Sequence, residues 1–285
     1  MFKAAIKHLL RKSARTLRKW AQEPASQAGP LDSWAGSYTL NPLFVSIMED
    51  CRHQYVWPAV QAANLAKHLG FDRASFIEFG VAGGNGLVTL EAIARRLEDR
   101  FGIQIEVYGF DSGAGLPRPC DYRDMPNLWS EGYFPMEVEK LRRRLTKADL
   151  LLGPVEETVS QFLERAPSPV AFVAFDLDYY SSTIQAFALF DADQRLFLPR
   201  VQCYFDDILG YTFCDFNGER LAITDFNAAH SSRKVAAIPG IRYYVPERYA
   251  NQMWEKYHML HIFDHQLYTC HDGSITAQDP GLALR

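Results

Sequence analysis

From Leu43 onward, apolar and polar positions switch repeatedly between two periods. Short runs at residues 75–80, 103–110, 149–153, 170–176 and 201–207 are nearly continuous in apolar side chains, as in strands covered on both faces. Between them lie helix-length segments at 87–100, 135–147, 156–165 and 182–189. Strand and helix alternating in this order predict an α/β fold, an open and mostly parallel sheet with helices on both faces. Past Lys234 the runs 234–238, 241–245 and 265–270 are shorter and are expected to close the sheet antiparallel. Residues 23–42 are rich in Ala, Ser, Gln, Gly and Pro without periodicity, and read as a linker. The expected organisation is a helix over 1–22, a linker over 23–42 and one domain over 43–285, with no internal repeat.

The first segment is of another kind. Phe2, Ile6, Leu9, Leu10, Leu17 and Trp20 recur at helical spacing, with Lys3, Lys7, Arg11, Lys12, Arg15, Arg18 and Lys19 between them. A basic amphipathic helix of this sort can lie on an anionic membrane surface, can serve as a transit peptide in a eukaryote, or can pack on the body or a partner. The pair Leu9-Leu10 is too short for the core of a secretory signal. These twenty residues hold seven Lys or Arg and no acid, so the overall −4 divides into a basic head and a body of 23 basic against 34 acidic residues, net −11.

Length and composition narrow the classes. The 285 residues correspond to about two average domains or one large one, and 48% hydrophobic with 22% charged residues is a globular composition. The longest apolar stretch, Val170–Phe175, is far below the roughly 18 residues a membrane span needs. The five cysteines, Cys51, Cys120, Cys203, Cys214 and Cys270, are widely spaced without a C-x-x-C pair, which suggests a reducing, cytoplasmic compartment. Peripheral contact at the membrane face through residues 1–20 and assembly as a homo-oligomer are compatible with the same sequence. The arginines 118, 123 and 142–144 do not make a nucleic-acid footprint, because Glu131, Glu137 and Glu139 are interleaved and the body is acidic. His258, His261, His265 and His271 could suggest zinc, but aromatic and apolar residues separate them, no Cys stands at motif spacing, and the segment reads as a helix end leading to an edge strand.

The chemistry gathers at the ends of the apolar runs. The first ends Phe76-Ile77-Glu78-Phe79-Gly80-Val81-Ala82-Gly83-Gly84-Asn85-Gly86 and passes into a helix. Strand, glycine-rich turn and helix make a nucleotide-type site, since glycine lets a ligand approach the backbone and a helix N-terminus offers unpaired N–H groups. The dinucleotide register fails, because the third glycine would fall at Thr89, and no Gly-Lys-Ser/Thr ending marks a phosphate loop. Glu78 would repel a pyrophosphate and suits a cofactor bearing an ammonium and a sulfonium. Asp111 closes the second run, 25 residues after Gly86, where such sheets present a carboxylate to ribose hydroxyls. The fourth and fifth runs end in Asp176-Leu177-Asp178 and Asp206-Asp207, at what should be the same sheet edge. Carboxylates converging there would raise one another's pKa unless a hard divalent cation such as Mg²⁺ neutralised them. The alternative is that Asp178 or Asp207 caps a following helix or turn, with Ser182 as a competing cap.

Five segments in order, 78–86, 108–117, 151–159, 176–183 and 206–207, resemble the macrocin O-methyltransferase (TylF-like) family of S-adenosylmethionine-dependent methyltransferases. The resemblance runs from about Phe76 to Asn227. It implies the Rossmann-like class I methyltransferase fold with a seven-stranded sheet. It also implies that Glu78, Gly80, Gly83 and Gly86 line the methionine part of the cofactor, that Asp111 holds the ribose, and that Glu156 lies near the adenine. Asp176, Asp206 and Asp207 would bind Mg²⁺, and residues 120–134 would form a lid over the acceptor. This chain departs from the family pattern at Leu177, where glycine is usual, at Ser181, where glutamate is usual, and in a longer link around Asp191-Ala192-Asp193-Gln194.

The expected activity is O-methylation of a sugar or glycosylated small molecule. Metal coordination lowers the pKa of an alcohol as it does that of bound water, Asp176 is placed to take the proton, and the glycine turn holds the methyl donor in line. Two rival readings are a nicotinamide-dependent dehydrogenase, which would need the glycine register that Thr89 breaks, and a non-catalytic, membrane-recruited module that keeps the pocket as scaffold.

Overall fold

The computed structural model describes residues 53–243 and 254–270. The expectations for residues 1–42 lie outside these residues. In chain order the elements are α1 (Val56–His68), β1 (Arg73–Phe79), α2 (Asn85–Phe101), β2 (Gln104–Asp111), α3 (Val138–Arg142), β3 (Asp149–Leu152), α4 (Val155–Glu164), β4 (Val170–Phe175), α5 (Tyr180–Ala186), β5 (Phe197–Phe205), α6 (Gly218–Ala229), β6 (Arg233–Ala237) and β7 (Tyr257–Ile262).

The seven strands form one sheet in the order β3-β2-β1-β4-β5-β7-β6. Strands β1 to β5 are parallel, and β7 runs antiparallel to both β5 and β6. The order reverses between β1 and β4, the switch point beside which open α/β sheets bind ligands. This is the Rossmann-like methyltransferase sheet that the resemblance implies.

Alternation along each strand divides the core between the two faces. Phe76, Phe172, Ala174 and Tyr204 pack with α1 and α2, whereas Ile77, Phe79, Val173, Phe175 and Phe205 pack with α4, α5 and α6. Every residue of β4 is buried, which is why its sequence Val-Ala-Phe-Val-Ala-Phe carries no polar side. In α2 the buried Leu87, Leu90, Ile93, Ala94 and Leu97 follow the helical period, and left-handed glycines, Gly84 and Gly102, bound its two ends.

Three expectations are corrected. The helix expected over 135–147 shrinks to the five residues Val138–Arg142, with only Leu141 buried. Beyond it the chain is captured by the buried Glu91 carboxylate, which accepts hydrogen bonds from the Thr146 and Ala148 amides. The strand-like run 241–245 is a 3-10 turn at Ile241–Tyr243 following Gly240, whose φ is +68°, and residues 244–245 lie outside the described chain. The run 265–270 forms turns, and the strand is instead Tyr257–Ile262, zipped between β5 and β6. His258 and His261 disguise this strand by breaking its apolar alternation. Among the described residues no helix is long and apolar enough to cross a membrane.

Candidate functional site

The site is built on a row of phenylalanines. Phe110, Phe79, Phe175 and Phe205 are register partners across β2, β1, β4 and β5. Neighbouring rings in the row lie 4.6, 5.5 and 4.7 Å apart, centroid to centroid. The next residue of each strand therefore emerges at one edge, and those residues are Asp111, Gly80, Asp176 and Asp206. The ladder continues one step to fix them: the amides of Gly80, Asp176 and Asp206 donate to the carbonyls of Phe110, Phe79 and Phe175, each at 2.9 Å. A one-residue slip would turn the carboxylates into the sheet.

On the β1–β2 side the backbone turn is held tightly. Gly80 has φ +80°, and a Cβ there would stand 1.8 Å from the Asp176 carbonyl oxygen. A Cβ on Gly86 would meet Glu78 Oε1 at 1.8 Å, so glycine lets the buried Glu78 carboxylate lie against the start of α2. Gly83 faces open space. The Tyr55 hydroxyl, ahead of α1, donates to Glu78 Oε1 at 2.8 Å. Asp111 Oδ2 accepts the Val81 and Ala82 amides at 2.9 and 2.8 Å, and its Oδ1 accepts the Gly113 amide at 2.6 Å. Asp111 thus clamps the turn, using three of its lone pairs on backbone. Glu156 stands exposed in the first turn of α4, beyond β3.

On the β4–β5 side the carboxylates face one another. Asp176, Asp206 and Asp207 each offer an oxygen within 4.8 Å of the others. Asp178, at φ +61°, directs its amide to Asp207 Oδ2 at 3.2 Å, and the Asp207 amide donates to Glu219 Oε2 at 2.9 Å. Glu219 is fully buried, and among the described residues its Oε1 has no hydrogen-bond partner. Burial, then repulsion from Asp176 and Asp206, pushes the Asp178 carboxyl up to about 7. Asp207 and Glu219 are raised well above the usual range, again first by burial and then by neighbouring carboxylates. A set of hard oxygens held together against mutual repulsion has the chemistry of a divalent-cation site. Among the described residues Lys256 brings a fixed cation: its Nζ lies 3.0 Å from Asp206 Oδ1, which also accepts the Tyr204 hydroxyl at 2.7 Å.

The capping alternative for Asp178 and Asp207 does not describe α5. Its first turn is served from residues 120–134 instead: Asp124 Oδ1 accepts the Ser181 amide and Oδ2 the Ser181 hydroxyl, both at 2.8 Å. Oδ2 also takes the Cys120 amide at 2.8 Å. The serine that departs from the family pattern is therefore the point at which this segment is fastened. Met125 meets the β5–α6 connection at Gly218, where a Cβ would stand 2.9 Å from the Met125 methyl carbon and within 4 Å of the Asp178 and Asp207 carbonyls. Tyr122, Tyr133 and Phe134 of the segment are exposed at this edge, as are Tyr211 and Phe216 of the connection.

Of the residues expected from the sequence, Glu78, Asp111, Asp176, Asp206 and Asp207 stand together at this edge, and Tyr55, Asp124, Tyr204, Glu219 and Lys256, which the sequence did not single out, join them. The two-residue step from Tyr204 to Asp206 was a usable signal, since it puts both on one face. Among the described residues the histidines do not gather, and His271 lies outside them. His258 is buried against Phe205, and burial lowers it to about 4. His261 bonds the Tyr268 hydroxyl, and His265 accepts the Leu267 amide. His230 stacks on Phe226 and pairs with Asp191.

No family model and no curated protein matches the sequence. Among solved structures the chain is similar to the calicheamicin methyltransferase CalS11, with 22% identity over 81% of this chain and 88% of that one, at a TM-score of 0.48. It is similar to the O-methyltransferase NovP, with 17% identity over 70% and 89% of the two chains and a TM-score of 0.45. It is also similar to the O-methyltransferase TomG from Streptomyces achromogenes, with 12% identity over 82% and 99% and a TM-score of 0.40.

Proposed function

We propose that this chain is an S-adenosylmethionine-dependent O-methyltransferase, assisted by a divalent cation, acting on a hydroxyl of a sugar or glycosylated small molecule. The observation that carries the reading is the adjacency of two devices on one sheet edge. A glycine turn clamped by Asp111 stands at β1, and three carboxylates within 4.8 Å of one another stand on β4 and β5.

Glu78, under the turn, faces a cofactor's cationic end, and the open backbone at Gly83 gives it room. Asp111 keeps one lone pair, on Oδ1, beyond its three amide bonds, enough to accept a ribose hydroxyl. Glu156, exposed at the start of α4, is the proposed contact toward the adenine. When bound, S-adenosylmethionine supplies the methyl group as a sulfonium. Asp176, Asp206 and Asp207 would hold Mg²⁺, which lowers the pKa of an acceptor hydroxyl. Asp176 sits between the two devices, its amide on Phe79 and its carboxylate in the cluster, and is the proposed base for the hydroxyl proton. Asp178, held near 7, is a second carboxyl beside it that can take up a proton at neutral pH. The segment 120–134, fastened at Ser181, roofs the acceptor and limits water.

Calorimetric titration of the protein with S-adenosylhomocysteine, with and without Mg²⁺, tests this reading. Micromolar product binding is expected, with a separate Mg²⁺ heat that disappears in Asp176→Asn. Failure to bind the product would sink methyl transfer and favour a nicotinamide cofactor or a scaffold. Product binding without any Mg²⁺ heat would remove the cation alone.

A further inference from the structure

Lys256 ends the 3-10 turn Trp254–Lys256 that leads into β7. Because β7 is antiparallel to β5, its beginning lies at the edge where the parallel strands end, with Tyr257 opposite Tyr204. A residue 50 positions distant in sequence is thereby delivered to Asp206, with Nζ 3.0 Å from Oδ1 and only 8% of the residue exposed. The ring of Tyr204 lies 5.9 Å from the same ammonium, and the Tyr204 hydroxyl donates to the same carboxylate oxygen. Burying an ammonium costs free energy unless a charge answers it, so its position is specified and not incidental.

We propose that Lys256 is a tethered counter-cation of the carboxylate cluster. It is a positioning residue that occupies Asp206 Oδ1 permanently, orients that carboxylate, and limits how tightly a mobile dication is held. The inference rests on the cation reading above. Asp176, Asp178, Asp206, Asp207 and Glu219 crowd the site, and the ammonium offsets one of their charges before any ion arrives. Fixed ammonium and dication then repel each other, and even at an effective dielectric constant of about 20 such repulsion exceeds thermal energy. A cation held loosely enough can exchange, and can share its coordination with an incoming hydroxyl. Tyr204 secures the same oxygen without charge and divides the orienting role with Lys256.

Mn²⁺ titration of the full chain, without cofactor or acceptor, tests this by calorimetry and by the paramagnetic signal of free Mn²⁺. Lys256→Met keeps the length of the side chain and removes its charge, and is expected to bind Mn²⁺ at least tenfold more tightly. Lys256→Arg should stay within about threefold of the wild type. In EDTA, Lys256→Met should melt below the wild type and recover with Mn²⁺. Should Lys256→Met not fold, Lys256→Gln carries the same expectation. Unchanged or weaker Mn²⁺ binding in the uncharged variants overturns the proposal, as does an equal gain in Lys256→Arg. If the wild type itself takes up no Mn²⁺, or Asp176→Asn binds it as well, the cation reading has failed and this inference falls with it. That outcome is distinct from a wild type that binds while Lys256→Met binds no better.

Discussion

The two halves of the site treat negative charge in opposite ways. At β1 and β2, Asp111 is answered by three backbone amides and Glu78 Oε1 by the Tyr55 hydroxyl, so both carboxylates are engaged by the chain's own donors. At β4 and β5, Asp178, Asp207 and Glu219 are crowded by neighbouring carboxylates, Asp176 and Asp206 among them, and Lys256 pairs with Asp206. The first half is preorganised, and Asp111 works on the protein's own backbone. The second half stores repulsion that the proposed cation would relieve. The partners of these acids are what distinguish the two halves.

The sharpest way to break this contrast is pH. Asp178 has a native pKa near 7 against an ordinary 3.8, so the folded state holds that proton more tightly than the unfolded state. Its contribution is fully present below the ordinary value and is lost as pH rises through about 7. Asp207 and Glu219 act in the same direction. One carboxyl shifted this far amounts to on the order of 4 kcal/mol. His258, lowered to about 4, works oppositely, gaining stability up to its ordinary 6.5, but it titrates alike with and without Mg²⁺. The rise in thermal midpoint produced by Mg²⁺ should therefore be near zero at pH 4 to 5 and grow steadily to pH 8. A rise that is flat with pH would show that these acids are not the cation's ligands.

Next in size is Asp111→Ala, which strips three amides of a charged acceptor. Hydrogen bonds to charged groups contribute about 1.5–3 kcal/mol each, and water reaches this half-buried turn, so about 3 kcal/mol of stability is the expected loss. Urea denaturation measures it, and S-adenosylhomocysteine affinity should fall more than tenfold while Mn²⁺ affinity stays the same. Asp111→Asn should lie between, because its amide nitrogen cannot accept at one of the two ends. A loss of cofactor product affinity with no loss of stability would make Asp111 a ligand and not a clamp.

What was legible in the sequence follows the range of the forces involved. The ends of β1, β2, β4 and β5 could be read because buried strands demand apolar runs and a ligand edge demands Gly or Asp directly after them. Register then did the rest, placing Asp176 and Asp206 side by side through the phenylalanine row. Tyr55, Asp124 and Lys256 could not be read, since each reaches the site from an element whose own pattern is ordinary. Asp124 reaches Ser181 across 57 positions, and nothing near either residue announces the other. The helix expected over 135–147 failed for a related reason: the distant Glu91 captures Thr146 and Ala148. β7 failed locally, where two histidines interrupt the alternation that marks a half-buried strand.

The smallest effect expected is Tyr55→Phe, and it probes the β1–β2 half at its most distant support. The substitution removes the donor to Glu78 Oε1 while keeping the ring, which lies edge-on to Tyr204 at 5.3 Å and to Phe172 at 5.8 Å. Volume is conserved, so no cavity forms, and the cost is one hydrogen bond to a buried carboxylate, about 1–2 kcal/mol. Product affinity should drop only a few-fold, because Gly86 and the start of α2 still confine Glu78. Tyr204 leads on to Asp206, so the same pair of rings joins the two halves of the site. If Tyr55→Phe weakens Mn²⁺ binding as much as product binding, the halves are mechanically coupled through these rings. If only product binding changes, the two devices on this edge are independent, and the register of the sheet is all that brings them together.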